Sequence, residues 1–138
     1  FGIGVNLAVS QDVPAFDCAY KLQEYGGAPK RKLSEGKATW PGRKQAWRAY
    51  DTDGRMSGDI LSVETDKQPG KALIVPVMRK GTRVAPSPTL ADIRERAAKD
   101  LSRLPERLCK LEPGVEYPVK VADALKALAK QADEKTKN

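Results

Sequence analysis

Histidine is absent from the 138 residues of this chain, and cysteine occurs only twice, at Cys18 and Cys109. Without an imidazole, the chain cannot build a Ser-His-Asp or Cys-His nucleophile from its own residues, and it cannot hold zinc in a site of the usual kind. The two cysteines belong to no recognisable motif. We therefore expect free, buried thiols in a reducing compartment, which favours a cytoplasmic protein.

Long apolar runs are also absent, which argues against a membrane-spanning helix and against a membrane partner. Aromatic residues make up 6% of the chain, charged residues 31% and apolar residues 40%. These proportions are typical of a folded domain in water, and the length leaves room for a modest core.

Positive charge is concentrated in one segment, residues 30–48. The segment holds seven basic residues and one acid, which gives a local charge of +6 against +7 for the whole chain. A concentrated positive field favours a nucleic acid, a nucleotide or a phosphorylated sugar as the partner. Trp40 and Trp47 could stack on a ligand ring or pack as hydrophobic bodies. The other interpretation is a solvated strand face whose cations protect a sheet edge, and both remain open.

The first two thirds of the chain read as strands that alternate with turns. Three hairpins are predicted because each pair of strand-like runs flanks a glycine-containing turn. The strands and turns are residues 16–25 and 29–34 around Gly26-Gly27, 44–50 and 60–63 around 51–54, and 73–78 and 82–84 around Lys80-Gly81.

After Pro86 the apolar period changes to three or four residues, which predicts a helix. Its apolar stripe runs from Leu90 to Leu108, and we expect the stripe to lie in the core. Thr89, followed three residues later by an aspartate, predicts a capping box at the start. Pro105 is expected to kink or restart the helix.

A second helix is predicted from Val121, with fraying after Gln131. Strands followed by helices predict an α+β arrangement in which two helices cover an antiparallel sheet.

Three aspartates, Asp51, Asp53 and Asp59, lie near glycines. Their spacing does not fit a twelve-residue calcium loop, because glutamate is missing at the last ligand position. We interpret them as turn-forming residues rather than metal ligands.

The chain starts with an apolar stretch, FGIGVNLAV, that predicts a buried strand. Gly2 and Gly4 carry no side chain that would block a phosphate from the backbone amides, although glycines are also common at tight bends. A strand at the very start would leave backbone groups unpaired, so we expect further polypeptide upstream.

Taken together, these segments resemble the nicotinate phosphoribosyltransferase family. The elements that carry the resemblance are, in chain order, Phe1-Gly2-Ile3-Gly4-Val5, Asn6-Leu7, Tyr20-Lys21-Leu22, Lys32-Leu33-Ser34 and the Pro41-Gly42-Arg43-Lys44 run that ends at Arg48. The later stretches LIVPVMRKGTRV and TLADIRERAAKDLSRLPERL resemble the family's C-terminal tail. One departure is Val5, where the family usually has a threonine whose hydroxyl could bond phosphate.

The resemblance implies the C-terminal portion of a larger cytoplasmic enzyme, commonly a homodimer. That enzyme joins nicotinate to phosphoribosyl pyrophosphate, with Mg²⁺ and with ATP hydrolysis as the usual coupling. The implied fold places the last strand of an α/β barrel and its phosphate turn at residues 1–12, an antiparallel β-rich flanking domain at 13–85 and a helical segment at 86–138. The catalytic residues, including the family's phosphorylatable histidine, would lie in the upstream barrel portion, so the fragment alone would be inactive.

The resemblance also implies a phosphate-binding role for part of this segment, through glycine-turn amides and a basic loop. The residues implied are Gly2, Gly4, Val5, Lys32, Ser34 and Lys37. Fixed cations would stabilise the departing pyrophosphate, and Lys32 and Lys37 are the leading candidates. The other basic side chains fit structural or subunit-interface roles equally well; these are Arg31, Arg43, Lys44 and Arg48.

Two other hypotheses explain parts of the pattern. A stand-alone basic module for RNA or DNA would use the charged segment and its tryptophans. An interaction fragment would need a partner chain to cover the edge of its first strand. The enzyme fragment is the favoured interpretation, with the nucleic-acid module as its alternative.

Overall fold

The computed structural model describes residues 21–110 and 116–137, and these form a small α+β arrangement. Short hairpins flank one longer strand pair, and two helices with a short strand between them follow. In chain order they are β1 (Glu24–Tyr25), β2 (Ala28–Pro29), β3 (Lys44–Tyr50), β4 (Met56–Val63), β5 (Lys71–Ala72), β6 (Met78–Arg79), β7 (Thr82–Arg83), α1 (Leu90–Leu101), a 3₁₀ turn (Glu106–Leu108), β8 (Val119–Val121) and α2 (Asp123–Lys137).

The main sheet has four strands in the order β5-β3-β4-β8. Its centre is the long β3–β4 hairpin, which the Asp51–Gly54 turn joins as predicted. Asp51 Oδ1 accepts hydrogen bonds from the backbone N–H of Asp53 (3.0 Å) and Arg55 (2.8 Å). Gly54 adopts φ +75°, a left-handed conformation that side chains disfavour.

The sheet is mixed rather than purely antiparallel. β8 pairs in parallel with β4, and β5 adds an antiparallel edge beside β3. Neither strand was predicted, because each has only two or three residues, too few to show an alternating pattern.

The two outer hairpins are shorter than predicted. Gly26-Gly27 does connect antiparallel strands, but β1 and β2 have two residues each. Likewise, only Met78 from the predicted strand 73–78 pairs across Lys80-Gly81. Residues 16–20 of the first predicted strand, and the predicted barrel strand within residues 1–12, lie outside the described residues.

The core lies between α2 and the β3–β4 hairpin. α2 packs on β4, and its Leu125 is fully buried. Met56, Ala129 and Ala132 are also buried. The predicted core stripe is therefore confirmed for this helix, which starts at Asp123 rather than Val121 and extends past Gln131 to Lys137.

Helix α1 differs from its prediction in burial. The Thr89–Asp92 capping box is present, with the Thr89 hydroxyl accepting from the Asp92 N–H and the Asp92 carboxylate accepting from the Thr89 N–H. None of its twelve residues is buried among the described residues, so the prediction that its stripe lies in the core was wrong. The helix ends at Leu101, before Pro105, and the 3₁₀ turn follows.

Cys109 is exposed, which contradicts the expectation of a buried thiol, and Cys18 lies outside the described residues.

The division of the chain into segments at residues 12 and 85 stays a prediction. Neither described helix is long and apolar enough to cross a bilayer.

Candidate functional site

The basic segment forms a loop that is closed at its neck by two hydrogen bonds. The Lys32 N–H donates to Thr39 Oγ1 (3.0 Å), and the Thr39 N–H donates to the Lys32 carbonyl (3.1 Å). At the tip, the Lys37 N–H donates to the Ser34 carbonyl (3.0 Å) in a turn where Gly36 adopts φ +65°. Lys32, Ser34 and Lys37 are therefore brought together on one short exposed loop.

The base of this loop is fixed to the core. Pro41 and Gly42 are buried, and a Cβ at Gly42 would lie 2.9 Å from Leu128 Cδ2 of α2. Lys44 Nζ donates to the carbonyls of Trp40 (2.8 Å) and Gly42 (2.6 Å). Partial burial lowers the pKa of the Lys44 ammonium, because desolvation disfavours its charged form. A rigid base thus carries an exposed basic tip.

Arg31 makes a second connection between the loop and α2. Its Nη1 lies 3.4 Å from Asp133 Oδ2, and its guanidinium lies over the Trp40 ring at 6.0 Å from the ring centroid. Arg31 Nε and Asp133 Oδ1 are buried without a hydrogen-bond partner in the described structure. The long contact and the two unpaired atoms indicate an ion pair that is weaker than a bidentate one.

The seven basic residues of the segment fall into two groups. Four of them have contacts within the chain, including a 2.9 Å bond from Arg43 Nε to Glu24. These four are Arg31, Arg43, Lys44 and Arg48. The other three, Lys30, Lys32 and Lys37, have exposed side chains that make no ion pair with another described residue. Four of the seven basic residues of this segment therefore stabilise the fold through contacts within the chain.

The two tryptophans also make contacts within the chain. Trp40 lies beneath Arg31, and Trp47 Nε1 donates to the buried Ser62 hydroxyl at 2.9 Å. Both indoles are partly buried. A stacking platform for nucleic-acid bases needs exposed rings beside the cations, so this arrangement does not support the nucleic-acid module.

A polar cluster that was not predicted lies on the sheet. Arg48 Nε and Nη2 donate to the two carboxylate oxygens of Asp59 (2.9 and 2.8 Å), and the Tyr117 hydroxyl donates to Asp59 Oδ1 (2.9 Å). The Arg48 bonds hold the pKa of Asp59 below its usual value, while burial raises the pKa of Tyr117. The interpretation of Asp59 as a turn residue was wrong, because it lies within β4.

The remaining predicted site residues, Gly2, Gly4 and Val5, lie outside the described residues. Across residues 21–110 and 116–137, no group of three or more His, Cys, Asp or Glu side chains could hold a metal ion. The candidate site in the described part is therefore the basic loop.

Comparison with known proteins gives consistent matches. The family profile "Nicotinate phosphoribosyltransferase C-terminal domain" matches residues 70–129. Nicotinate phosphoribosyltransferase pncB2 of Mycobacterium tuberculosis is 42% identical over 127 residues, covering 91% of this chain and 27% of the relative. The human nicotinate phosphoribosyltransferase is 31% identical over 152 residues, covering 92% of this chain and 28% of its own length.

The fold agrees with a solved structure. The crystal structure of human nicotinic acid phosphoribosyltransferase superposes with a TM-score of 0.71 at 26% identity, covering 82% of this chain and 26% of that chain. The chain thus spans about a quarter of the length of the curated relatives that it matches.

Proposed function

Because this chain belongs to the nicotinate phosphoribosyltransferase family, with its C-terminal portion as the matched part, we propose that it supplies that portion of an enzyme making nicotinate mononucleotide. The enzyme would join nicotinate to phosphoribosyl pyrophosphate and release pyrophosphate. The observation that carries this proposal is the 42% identity to a nicotinate phosphoribosyltransferase across 91% of the chain. The function belongs to the salvage of pyridine nucleotides for NAD.

The proposed contribution of this chain is electrostatic rather than chemical. Phosphoribosyl transfer develops positive charge on the ribose as pyrophosphate leaves, and fixed cations near the leaving group stabilise that charge separation. The exposed ammonium groups of Lys32 and Lys37, with the Ser34 hydroxyl between them, would bind phosphate oxygens. The closed neck and buried base of the loop support this role, because a preorganised loop loses little entropy on binding.

The glycine turn would complete the phosphate site. Backbone amides at Gly2, Gly4 and Val5 would hold the 5-phosphate at the end of the last barrel strand, where barrel enzymes bind phosphates. Val5 has no hydroxyl, so binding there would rest on amide donors alone. No catalytic residue is assigned to this segment, and the residues that touch the nicotinate ring would lie in the upstream barrel portion.

Mg²⁺ and ATP enter the proposal only through the family resemblance. Magnesium would neutralise the pyrophosphate, and ATP hydrolysis would drive the reaction forward. The family resemblance implies that the ligands of the metal would lie in the barrel portion. A cytoplasmic homodimer is the proposed setting.

The function can be tested in a joined protein that carries this chain in place of the matched segment of the M. tuberculosis relative. Formation of nicotinate mononucleotide from nicotinate and phosphoribosyl pyrophosphate is the expected result. The 138-residue chain alone should form none. A joined protein that folds but makes no nicotinate mononucleotide, beside an active parent enzyme, would contradict the proposal.

A further inference from the structure

A cavity of about 320 Å³ lies where the chain after β2 meets the last turns of α2, and we call it the α2 cavity. Residues 28–31 line it on one side, and residues 132, 135 and 136 line it on the other. Its lining does not include Lys32, Ser34 or Lys37. The α2 cavity is therefore a different surface from the exposed lysines of the basic loop.

The charged residues that line the α2 cavity are all basic. They are Lys30, Arg31 and Lys135. Asp133 pairs with Arg31 but does not line the cavity, and counting its carboxylate still leaves a local charge of +2. The cavity along α1, in contrast, is lined by four basic and three acidic residues. A lining whose charges share one sign attracts an anion, whereas a mixed lining is largely neutralised by its own charges.

Arg31 is held in position at the α2 cavity. Its guanidinium lies over the Trp40 ring, and 16% of its side chain is exposed. The 3.4 Å contact with Asp133 engages one of the five N–H donors of the guanidinium, and Nε has no partner among the described residues. Arg31 therefore keeps hydrogen-bonding capacity, and its planar fork suits the oxygens of a phosphate group.

Lys30 and Lys135 add charge from opposite sides of the cavity. Both side chains are exposed, and neither makes an ion pair with another described residue. Lys135 lies in the last turn of α2, where the helix dipole also favours a cation. The Thr136 hydroxyl donates to the Ala132 carbonyl (2.9 Å). This bond satisfies one carbonyl near the helix end and so weakens the repulsion that the end would exert on an anion.

We propose that the α2 cavity binds the diphosphate group of a small molecule, at a site additional to the loop lysines. Three cations match the charge of a diphosphate better than that of a single phosphate. Because the cations come from both sides of the cavity, each phosphate unit of one ligand receives charge-assisted hydrogen bonds from a different side. Inorganic pyrophosphate and the phosphate chain of a nucleotide share this chemistry.

Titration of the isotope-labelled 138-residue chain with inorganic pyrophosphate, followed by NMR, tests this site. Amide signals from both sides of the α2 cavity are expected to shift with one shared Kd. Sulfate at matched ionic strength should bind more weakly, because it is shorter and carries less charge. Absence of any shift, or shifts confined to residues 32–37, would overturn the proposal. Equal affinity for sulfate would indicate an adventitious ion only, and it would overturn the proposal too.

Three variants separate the cavity from the overall charge of the chain. Lys135→Ala and Lys30→Ala should each weaken pyrophosphate binding about tenfold, because each removes a charge-assisted donor from one side. Lys130→Ala removes the same charge from an exposed position of α2 outside the cavity and should change the Kd less than about twofold. All three side chains are exposed, so the melting temperature should not change. Equal weakening by Lys130→Ala, or an effect from only one side of the cavity, would overturn the proposal.

The same titration identifies the source of the diphosphate group. Tighter binding of ATP than of pyrophosphate would assign a nucleotide, and the reverse order would assign free pyrophosphate; both support the site. Inorganic phosphate that binds as tightly as pyrophosphate would overturn the diphosphate assignment.

Kinetics of the joined protein distinguish this site from the substrate site. Lys135→Ala should leave the KM for phosphoribosyl pyrophosphate unchanged. A rise equal to that of Lys32→Ala would make the α2 cavity part of the substrate site and overturn the proposal of an additional one. The titration uses no nicotinate, so its result stands whether or not the joined protein makes nicotinate mononucleotide.

Discussion

Arg48 on β3 lies directly opposite Asp59 on β4, and two charge-assisted hydrogen bonds of 2.9 and 2.8 Å join their side chains. Tyr117 adds a third bond to the same carboxylate, and its ring lies 5.8 Å from the Arg48 guanidinium. The pair is largely shielded from water, with 24% and 14% of the two side chains exposed. Arg48 therefore stabilises the pairing of β3 with β4.

Replacing Asp59 by asparagine should lower the free energy of unfolding by about 1–3 kcal/mol at pH 7, because the variant leaves Arg48 without its counter-charge. The Arg48 bonds hold the pKa of Asp59 below its usual value. Their contribution is thus fully present above the unfolded pKa of about 3.9 and is lost as pH falls through the folded pKa. Urea unfolding at pH 7 and below pH 3 should show the difference between wild type and variant shrinking in acid.

Asp53→Asn is the matched control for this pH effect. Asp53 lies in the exposed β3–β4 turn, where its backbone N–H bonds to Asp51. This change should leave the free energy of unfolding nearly the same at both pH values. A loss for Asp59→Asn that is equally large in acid and at neutral pH would show that the carboxylate charge does not carry the effect.

A glycine next to β5 should tolerate no side chain. Gly70 adopts φ +116°, and a Cβ there would lie 2.5 Å from the Arg48 carbonyl oxygen. Gly70→Ala should therefore cost about 2–4 kcal/mol of unfolding free energy, since both backbone strain and a clash with main-chain atoms are involved. Gly54→Ala is the control, because its φ is +75° with nothing within 4 Å. It should cost only about 1 kcal/mol, and equal losses would contradict the clash.

The central hairpin could be predicted because its signals are local. Asp51–Gly54 is a turn in sequence and in structure, and the strands on either side pair antiparallel as expected, although β4 begins at Met56 rather than at Ile60. The Arg48–Asp59 pair could not be predicted in the same way. A register shift between Ala49 and Tyr50 sets Arg48 opposite Asp59, and the turn sequence does not reveal that shift.

The rest depended on partners that sequence spacing does not reveal. β8 has three residues and pairs with β4, which lies more than fifty residues earlier in the chain. No local sequence pattern therefore predicts this pairing. The stripe of α1 has the same period as that of α2, yet α2 packs on the sheet with a fully buried Leu125, whereas no residue of α1 is buried. The basic loop was found by its charge, but the sequence could not separate the exposed Lys32 and Lys37 from Lys44 at the base of the loop.

The capping box should set the local stability of α1. Because none of the helix's residues is buried among the described residues, tertiary packing contributes little there, and the Thr89 cap carries a larger share. Thr89→Ala should destabilise the helix by about 1 kcal/mol, seen as about fivefold faster hydrogen exchange in its first turns. Thr65→Ala, which removes a hydroxyl in the β4–β5 connection, should leave that exchange unchanged. Unchanged exchange in Thr89→Ala would contradict the role of the cap.

The exposed lysines of the basic loop should govern substrate binding in the joined enzyme. Lys32→Ala and Lys37→Ala should each raise the KM for phosphoribosyl pyrophosphate by about 10- to 100-fold, because each removes one charge-assisted bond to phosphate. The melting temperature should not change, since both side chains are exposed. Lys32→Arg keeps the charge and should retain much of the affinity.

Lys67→Ala supplies the matched control, because it removes the same charge from an exposed position in the β4–β5 connection. If its effect on KM equals that of Lys32→Ala, the loop acts only through the overall field of the protein. Steady-state kinetics at two salt concentrations add a second criterion. A loss caused by direct contact should persist at high salt, whereas a field effect should fade as the charges are screened. Unchanged kinetics in both loop variants would remove the phosphate assignment of Lys32 and Lys37 while leaving the enzyme proposal intact.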